Sequence, residues 1–319
     1  MRFIRTAFLS TTILSASLSL AQADVKVVTS IKPVHSLVSA VMAGVGEPSL
    51  LVKGAGSPHT YALKPSQAQQ LQDAELVFWM SHDLEAFLEN SIENIATNAK
   101  SVPLMEAHGL TKLPFREGGA FDSHDHDDHD DHDDHDEHKH DEHKHDEHGF
   151  DAHVWLDPVN AKAMVHEIEE ALVEADPSNA SAYEANAKAL MSRIDDLVAE
   201  IDAELEPVKG RGYVVFHDAY QYFEKRFGVS AVGSITVSPE VLPGAERVAQ
   251  LQDKVRDLGA TCVFSEPQFE PKLVATVTEN TNAGTGVLDP LGSAIDDGPD
   301  LYFTLIRNMA GSLKDCLLK

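Results

Sequence analysis

Positive charge is in short supply. The 319 residues hold 25 Lys and Arg against 52 Asp and Glu, a formal net charge of −27. A surface of that sign repels phosphate, which argues against nucleic acid and anionic lipid as partners. Cysteine is scarcer still, with only Cys262 and Cys316. Neither has a C-x-x-C neighbour, so a thiolate zinc site is not expected. After the first 23 residues no apolar stretch approaches the roughly 20 residues that span a bilayer.

The amino terminus is different. Arg2 and Arg5 precede an apolar run from about Ala7 to Leu20, and Ala21-Gln22-Ala23 has the small-x-small form of a cleavage site. Residues 1–23 read as a cleavable secretory signal, with a membrane anchor as the alternative. The mature chain then begins near Asp24 and works outside the cytoplasm, in the periplasm. In an oxidising compartment, two cysteines suggest one disulfide, and two buried thiols are the other possibility. What remains exceeds the usual size of one core, so two domains are expected.

Short apolar runs alternate with helical ones. Strand candidates are 25–30, 48–52, 74–80 and 100–105, then 212–216, 229–235, 260–266 and 285–289. Helical stretches lie between them, one from Asp83 to about Asn94, which is the pattern of parallel sheets covered by helices. Between the two sets, Asp157 and Pro158 open a helix to about Ala175. A longer one runs from Pro177 to about Leu205. Its apolar side is Tyr183, Ala187, Leu190, Ile194, Leu197, Ile201 and Leu205, spaced by threes and fours on one helical face. Such a helix is roughly 40 Å long, enough to span two domains. The expected fold is α/β: two four-stranded parallel-sheet domains joined by one long rigid helix.

The stretch "HDHDDHDDHDDHDEHKHDEHKHDEH", His124–His148, holds ten of the chain's 17 histidines. It has no apolar residues with which to offset the entropy of ordering, so residues 116–149 read as a disordered loop. A flexible array of imidazoles binds metal, but ordering it costs entropy. It is expected to collect zinc as an auxiliary segment, with a solvated acidic spacer as the plainer alternative.

The principal site is expected elsewhere. Ligands of open α/β sheets bind outside the carboxyl ends of strands. His59 follows the second strand in "GSPHTYALKPSQ", His153 precedes a helix in "DAHVWLDP", and His217 ends a strand in "VVFHDAYQYF". Asp289 ends the last strand in "GVLDPLG". Three imidazoles and one carboxylate suit tetrahedral Zn²⁺. Spacing alone is weak support, because loop histidines are commonly just solvated. His35, His82, His108 and His166 take that bland reading, with His35 the nearest to a strand end.

The segments "TSIKPVHSLV", "SPHTYALKPSQAQQLQDAELVFW", "DAHVWLDPVNA", "FHDAYQYFEKRFG" and "FSEPQF" resemble the periplasmic metal-receptor family of ABC importers, on its zinc-binding side. The resemblance covers nearly all of the mature chain and includes the acidic-histidine loop. It implies His59, His153 and His217 as zinc ligands, a Cys262–Cys316 disulfide, and a rigid linking helix. It also implies an inner-membrane ABC permease with a cytoplasmic ATPase as partner. Manganese members generally carry a carboxylate where this chain has His217. Some zinc members carry a glutamate immediately before the first histidine. Here that residue is Pro58, so the fourth ligand is expected to be Asp289 or water.

The expected organisation is residues 24–175 as an N-terminal metal-binding domain, 176–206 as the linking helix, and 207–319 as a C-terminal metal-binding domain. The expected function is a monomeric, non-catalytic receptor that captures Zn²⁺ in an interdomain cleft and delivers it for import. A manganese receptor of the same family is one alternative. An exported zinc hydrolase is another, with Glu266 as its nearest candidate general base.

Overall fold

The computed structural model describes residues 25–116, 121, 149–236, 245–257, 261–269, 271–279 and 281–319. The expected signal peptide and the body of the acidic-histidine segment, 122–148, lie outside the described residues.

The N-terminal half runs β1 (Val27–Thr29), α1 (Lys32–Val41), β2 (Ser49–Leu50), α2 (Pro65–Gln72), β3 (Leu76–Trp79), α3 (Ala86–Asn94) and β4 (Lys100–Pro103). Then come α4 (Pro158–Ala175) and α5 (Ala180–Leu205). The C-terminal half runs β5 (Gly212–His217), α6 (Gln221–Phe227), β6 (Ser230–Thr236), α7 (Ala245–Asp257), β7 (Cys262–Ser265), α8 (Pro271–Thr278), β8 (Gly284–Val287) and α9 (Leu301–Leu317).

Each half carries one four-stranded sheet, in the orders β2-β1-β3-β4 and β6-β5-β7-β8. All pairings are parallel. Parallel strands are covered on both faces, so they read as unbroken apolar runs. The four residues of β3, Leu-Val-Phe-Trp, are all buried. One face of each sheet packs toward a single core that runs through both halves. The other faces are closed separately. Leu71 and Leu88 cover Val28, Val77 and Trp79, and Leu251 and Val277 cover Val214 and Val263.

The long helix α5 buries all seven apolar residues of its predicted stripe and packs on α1, α4 and α9. It starts three residues later than the sequence suggests. Pro177–Asn179 form a separate 3₁₀ turn, because the Asp176 carboxylate accepts hydrogen bonds from Ser178, Asn179 and Tyr183. Helix α3 likewise begins at Ala86 rather than Asp83. The Glu85 carboxylate folds back to accept from Met80 N and Ser81 N and holds 81–85 out of the helix.

Specific ties join the halves. Tyr302 Oη donates to Trp155 O at 2.7 Å, and Trp155 Nε1 donates to Pro290 O at 2.9 Å. Buried Lys32 donates from Nζ to Ile295 O at 2.6 Å. In the C-terminal half, Cys262 and Cys316 form a disulfide that fastens α9 to the start of β7. Gly284 allows this close packing, since a Cβ there would sit 3.1 Å from Cys316 Sγ.

Candidate metal centre

His59 lies in a 3₁₀ turn, Pro58–Thr60, which begins on a proline whose φ is already set for it. His153 precedes a second such turn, Val154–Leu156, that leads into Asp157, the N-cap of α4. Asp157 accepts from Val159 N at 2.8 Å and satisfies one free N–H of that helix. His217 is the last residue of β5. Sequence separation is therefore large, yet one nitrogen or oxygen from each of these three residues lies within 4.8 Å of the others. Ring centroids stand 5.6 Å (59–153), 6.0 Å (59–217) and 5.2 Å (153–217) apart.

The rings are aimed. His153 Nδ1 is 2.6 Å from Asp151 Oδ1, and His217 Nδ1 is 2.7 Å from Glu266 Oε1. A carboxylate oxygen only accepts, so both Nδ1 atoms carry the hydrogen. The two Nε2 atoms are then left facing each other at 3.4 Å. All four of these residues are buried. This is the carboxylate–histidine pairing that fixes tautomer and orientation behind a metal. The two carboxylates also supply two negative charges, matching one divalent cation in a buried place.

The half-open space beside the rings has room for water-sized bodies over about 10 Å³ and is walled by Pro58, Trp155, Gln268, Phe269, Pro290 and Leu291. That is room for about one water-sized body. Burial, and then the neighbouring His153 and His217, hold His59 well below its ordinary pKa, so it stays a neutral donor. Burial also works against a proton on His217, but Glu266, Asp151 and Asp218 outweigh it and the net shift is upward.

Asp289, expected as a possible fourth ligand, is engaged elsewhere. Its Oδ1 accepts from Leu291 N, Gly292 N and Gln268 Nε2, and its Oδ2 from Ser293 N and Ser293 Oγ. An aspartate at a strand end that can close the next turn takes its own chain's N–H groups first. Nor is it one of the three clustered ligand atoms. Of the other histidines, His35 departs from the solvated reading and the remaining three keep it. His35 is buried against Pro48 O and Ser39. His82 and His166 sit on the surface beside Glu89 and Glu169, and His108 is exposed.

The sequence model of the family described as "Zinc-uptake complex component A periplasmic", ZnuA, matches residues 27–316. The chain belongs to the ZnuA family. A high-affinity zinc uptake system protein ZnuA of Brucella suis biovar 1 (strain 1330) is 58% identical, covering 92% of each chain. That of Yersinia pestis is 36% identical over 99% of this chain and 98% of its own. A solved crystal structure of ZnuA superposes with a TM-score of 0.75 at 26% identity, covering 92% of this chain and 99% of that one.

The sequence reading missed Asp151 and assigned Glu266 a different task. A signal for the first was available. In "DAH" the carboxylate stands two residues before His153, the spacing at which an aspartate reaches back-to-front onto its own chain, and Oδ1 accepts from His153 N as well, at 3.0 Å. Nothing local marks Glu266 as the partner of His217, which lies 49 residues away.

Proposed function

We propose that this ZnuA-family chain is a periplasmic zinc receptor that captures Zn²⁺ between its halves and passes it to an ABC permease driven by a cytoplasmic ATPase. His59, His153 and His217 are the ligands, and water completes the sphere in place of Asp289. The observation that carries this reading is the opposed pair of Nε2 atoms, each backed by a buried carboxylate. Three imidazoles favour zinc over the oxygen-preferring Mn²⁺. The hydrolase alternative loses its base, because Glu266 already accepts from His217.

The rest of the organisation follows the same reading. Residues 1–23 are the export signal, 24–175 and 207–319 are the two metal-binding domains, and 176–206 is the helix between them. The protein acts as a monomer. Both domains contribute ligands, so the ion draws them together.

The test is competition for Zn²⁺ against a chromophoric chelator. Loss of one coordinate bond in His59→Ala, His153→Ala or His217→Ala is expected to weaken binding at least tenfold, about 1.4 kcal/mol. Unchanged affinity in His217→Ala would remove the site between the halves.

A further inference from the structure

The residues on either side of positions 117–149, namely 113–116 and 150–151, are fastened to one another and to α6, the helix that follows His217. Pro114 pairs with Phe150 in an antiparallel bridge, and Asp151 N donates to Leu113 O. From α6, Tyr222 Oη accepts from Leu113 N at 2.9 Å and donates to Asp151 O at 2.7 Å. Arg116 reaches back to Asp218 and Glu224, with Nε 3.0 Å from Asp218 Oδ2 and Nη1 2.7 Å from Glu224 Oε2. The stem thus belongs to the N-terminal half by sequence and to α6 by contact.

One side chain of α6 goes further. Gln221 Nε2 donates to Pro114 O at 3.1 Å and to Asp151 Oδ2 at 2.8 Å. Asp151 is fully buried and its other oxygen holds both His153 N and His153 Nδ1. The carboxylate is therefore divided: Oδ1 serves the ligand histidine, and Oδ2 is held from the opposite half. A carboxylate with one oxygen free could rotate about χ2 and release Nδ1. Held at both oxygens, it has one orientation, and the His153 ring has one as well.

We propose that Gln221 is a positioning residue for zinc: acting through Asp151, it fixes His153 from across the junction although it touches no metal. This rests on the assignment of His153 as a ligand. It also ties the ligand geometry of the N-terminal half to the seating of α6. A displacement of α6 would loosen His153 at the same moment as it moves His217, so the two ligands are held or released together.

Partners behind a metal ligand typically alter affinity by about 10–100-fold. Gln221→Met keeps the volume and removes both donors. It is expected to weaken zinc binding about fivefold to tenfold, and Asp151→Asn by more. The double variant should bind no more weakly than Asp151→Asn alone, because Gln221 has no other route to the metal. The visible spectrum of the Co²⁺-loaded protein should shift in both single variants, a readout that reports ligand geometry and not fold. Thermal melting of the metal-free variants shows whether they fold. Gln221→Asn, which stays polar but falls one methylene short of Asp151, repeats the test should Gln221→Met fail to fold.

Gln221→Met with affinity within twofold of the parent and an unchanged Co²⁺ spectrum would overturn the proposal. So would losses that simply multiply in the double variant, since Gln221 would then act by another path. His153→Ala separates this from the site assignment. If it leaves zinc affinity intact, the three-histidine site itself is wrong. If it weakens zinc while Gln221→Met does not, the site stands and only the positioning role falls.

Discussion

The Nε2 atoms of His153 and His217 lie 3.4 Å apart, on residues separated by 64 positions in the chain. Two neutral imidazole lone pairs at that distance repel each other. A single proton between them relieves the repulsion, and so does a metal ion that both can bind. Glu266, Asp151 and Asp218 raise the pKa of His217 against the effect of burial. On the proposed assignment, a metal ion binding here competes with a proton for the same nitrogens.

This exchange sets the pH dependence. Below the raised pKa of His217, each zinc bound must expel a proton, and affinity is expected to fall about tenfold per pH unit. The fall begins above the ordinary histidine value of about 6.5, whereas His59, held low by burial, adds no competition there. Glu266→Gln removes the main group that raises His217. The fall should then begin at lower pH, while affinity at pH 8 drops about 10–100-fold for loss of the orienting carboxylate. Chelator competition between pH 5.5 and 8 measures both. Identical profiles for parent and variant would contradict the role given to Glu266.

Asp289→Ala should act on stability more than on zinc. Its oxygens close the turn through Ser293 and hold Gln268, so removal leaves donors unsatisfied at a cost of about 1–3 kcal/mol. Urea unfolding of the metal-free protein reports that loss. Zinc affinity is expected to fall less than in His153→Ala. An equal fall would restore Asp289 as a ligand.

Glu85 provides a separate pH test, remote in sequence from the ligands. Burial pushes its carboxyl up from 4.5 to about 7, against hydrogen bonds from Met80 N and Ser81 N. The folded chain keeps this proton up to about pH 7, and the unfolded chain releases it near 4.5. The stabilising contribution is thus complete below about pH 4.5 and is lost as pH rises through about 7. Glu85→Gln has no proton to lose. Relative to the parent, its stability should rise by about 3 kcal/mol between pH 5 and pH 8. Denaturant unfolding at the two pH values checks this, and a constant difference would show that Glu85 is ionised throughout.

Removing the Cys262–Cys316 bridge should cost stability without touching the site. The bridge closes a 54-residue separation, for which about 4 kcal/mol is expected. Cys262 stands at the start of β7 and Glu266 just past its other end, about 13 Å along the strand. In the Cys262→Ala, Cys316→Ala double variant, the thermal midpoint should fall and zinc affinity should stay within about threefold. A large loss of affinity would mean that α9 helps to hold the site.

Most of the fold was legible before the structure. Eight strands and the long helix declare themselves through periodicity, because burial on one face or both is written into neighbouring residues. The misplaced helix starts have a common cause: Asp176 and Glu85 turn their carboxylates onto nearby backbone and side-chain donors instead of entering a helix. Propensity does not register such local competition.

The site divides in the same way. Sequence pattern placed His59, His153 and His217 at strand ends and turn starts, and the family resemblance made them the expected ligands. It took the folded chain to show which ring nitrogens face each other and which carboxylate stands behind each ring. Glu266 meets His217 across 49 residues and Gln221 meets Asp151 across 70. The folded chain also shows Asp289 closing a turn through Leu291, Gly292 and Ser293. Secondary structure follows from neighbours in the chain, but a ligand's orientation follows from neighbours in space, and those are chosen when the two halves pack together.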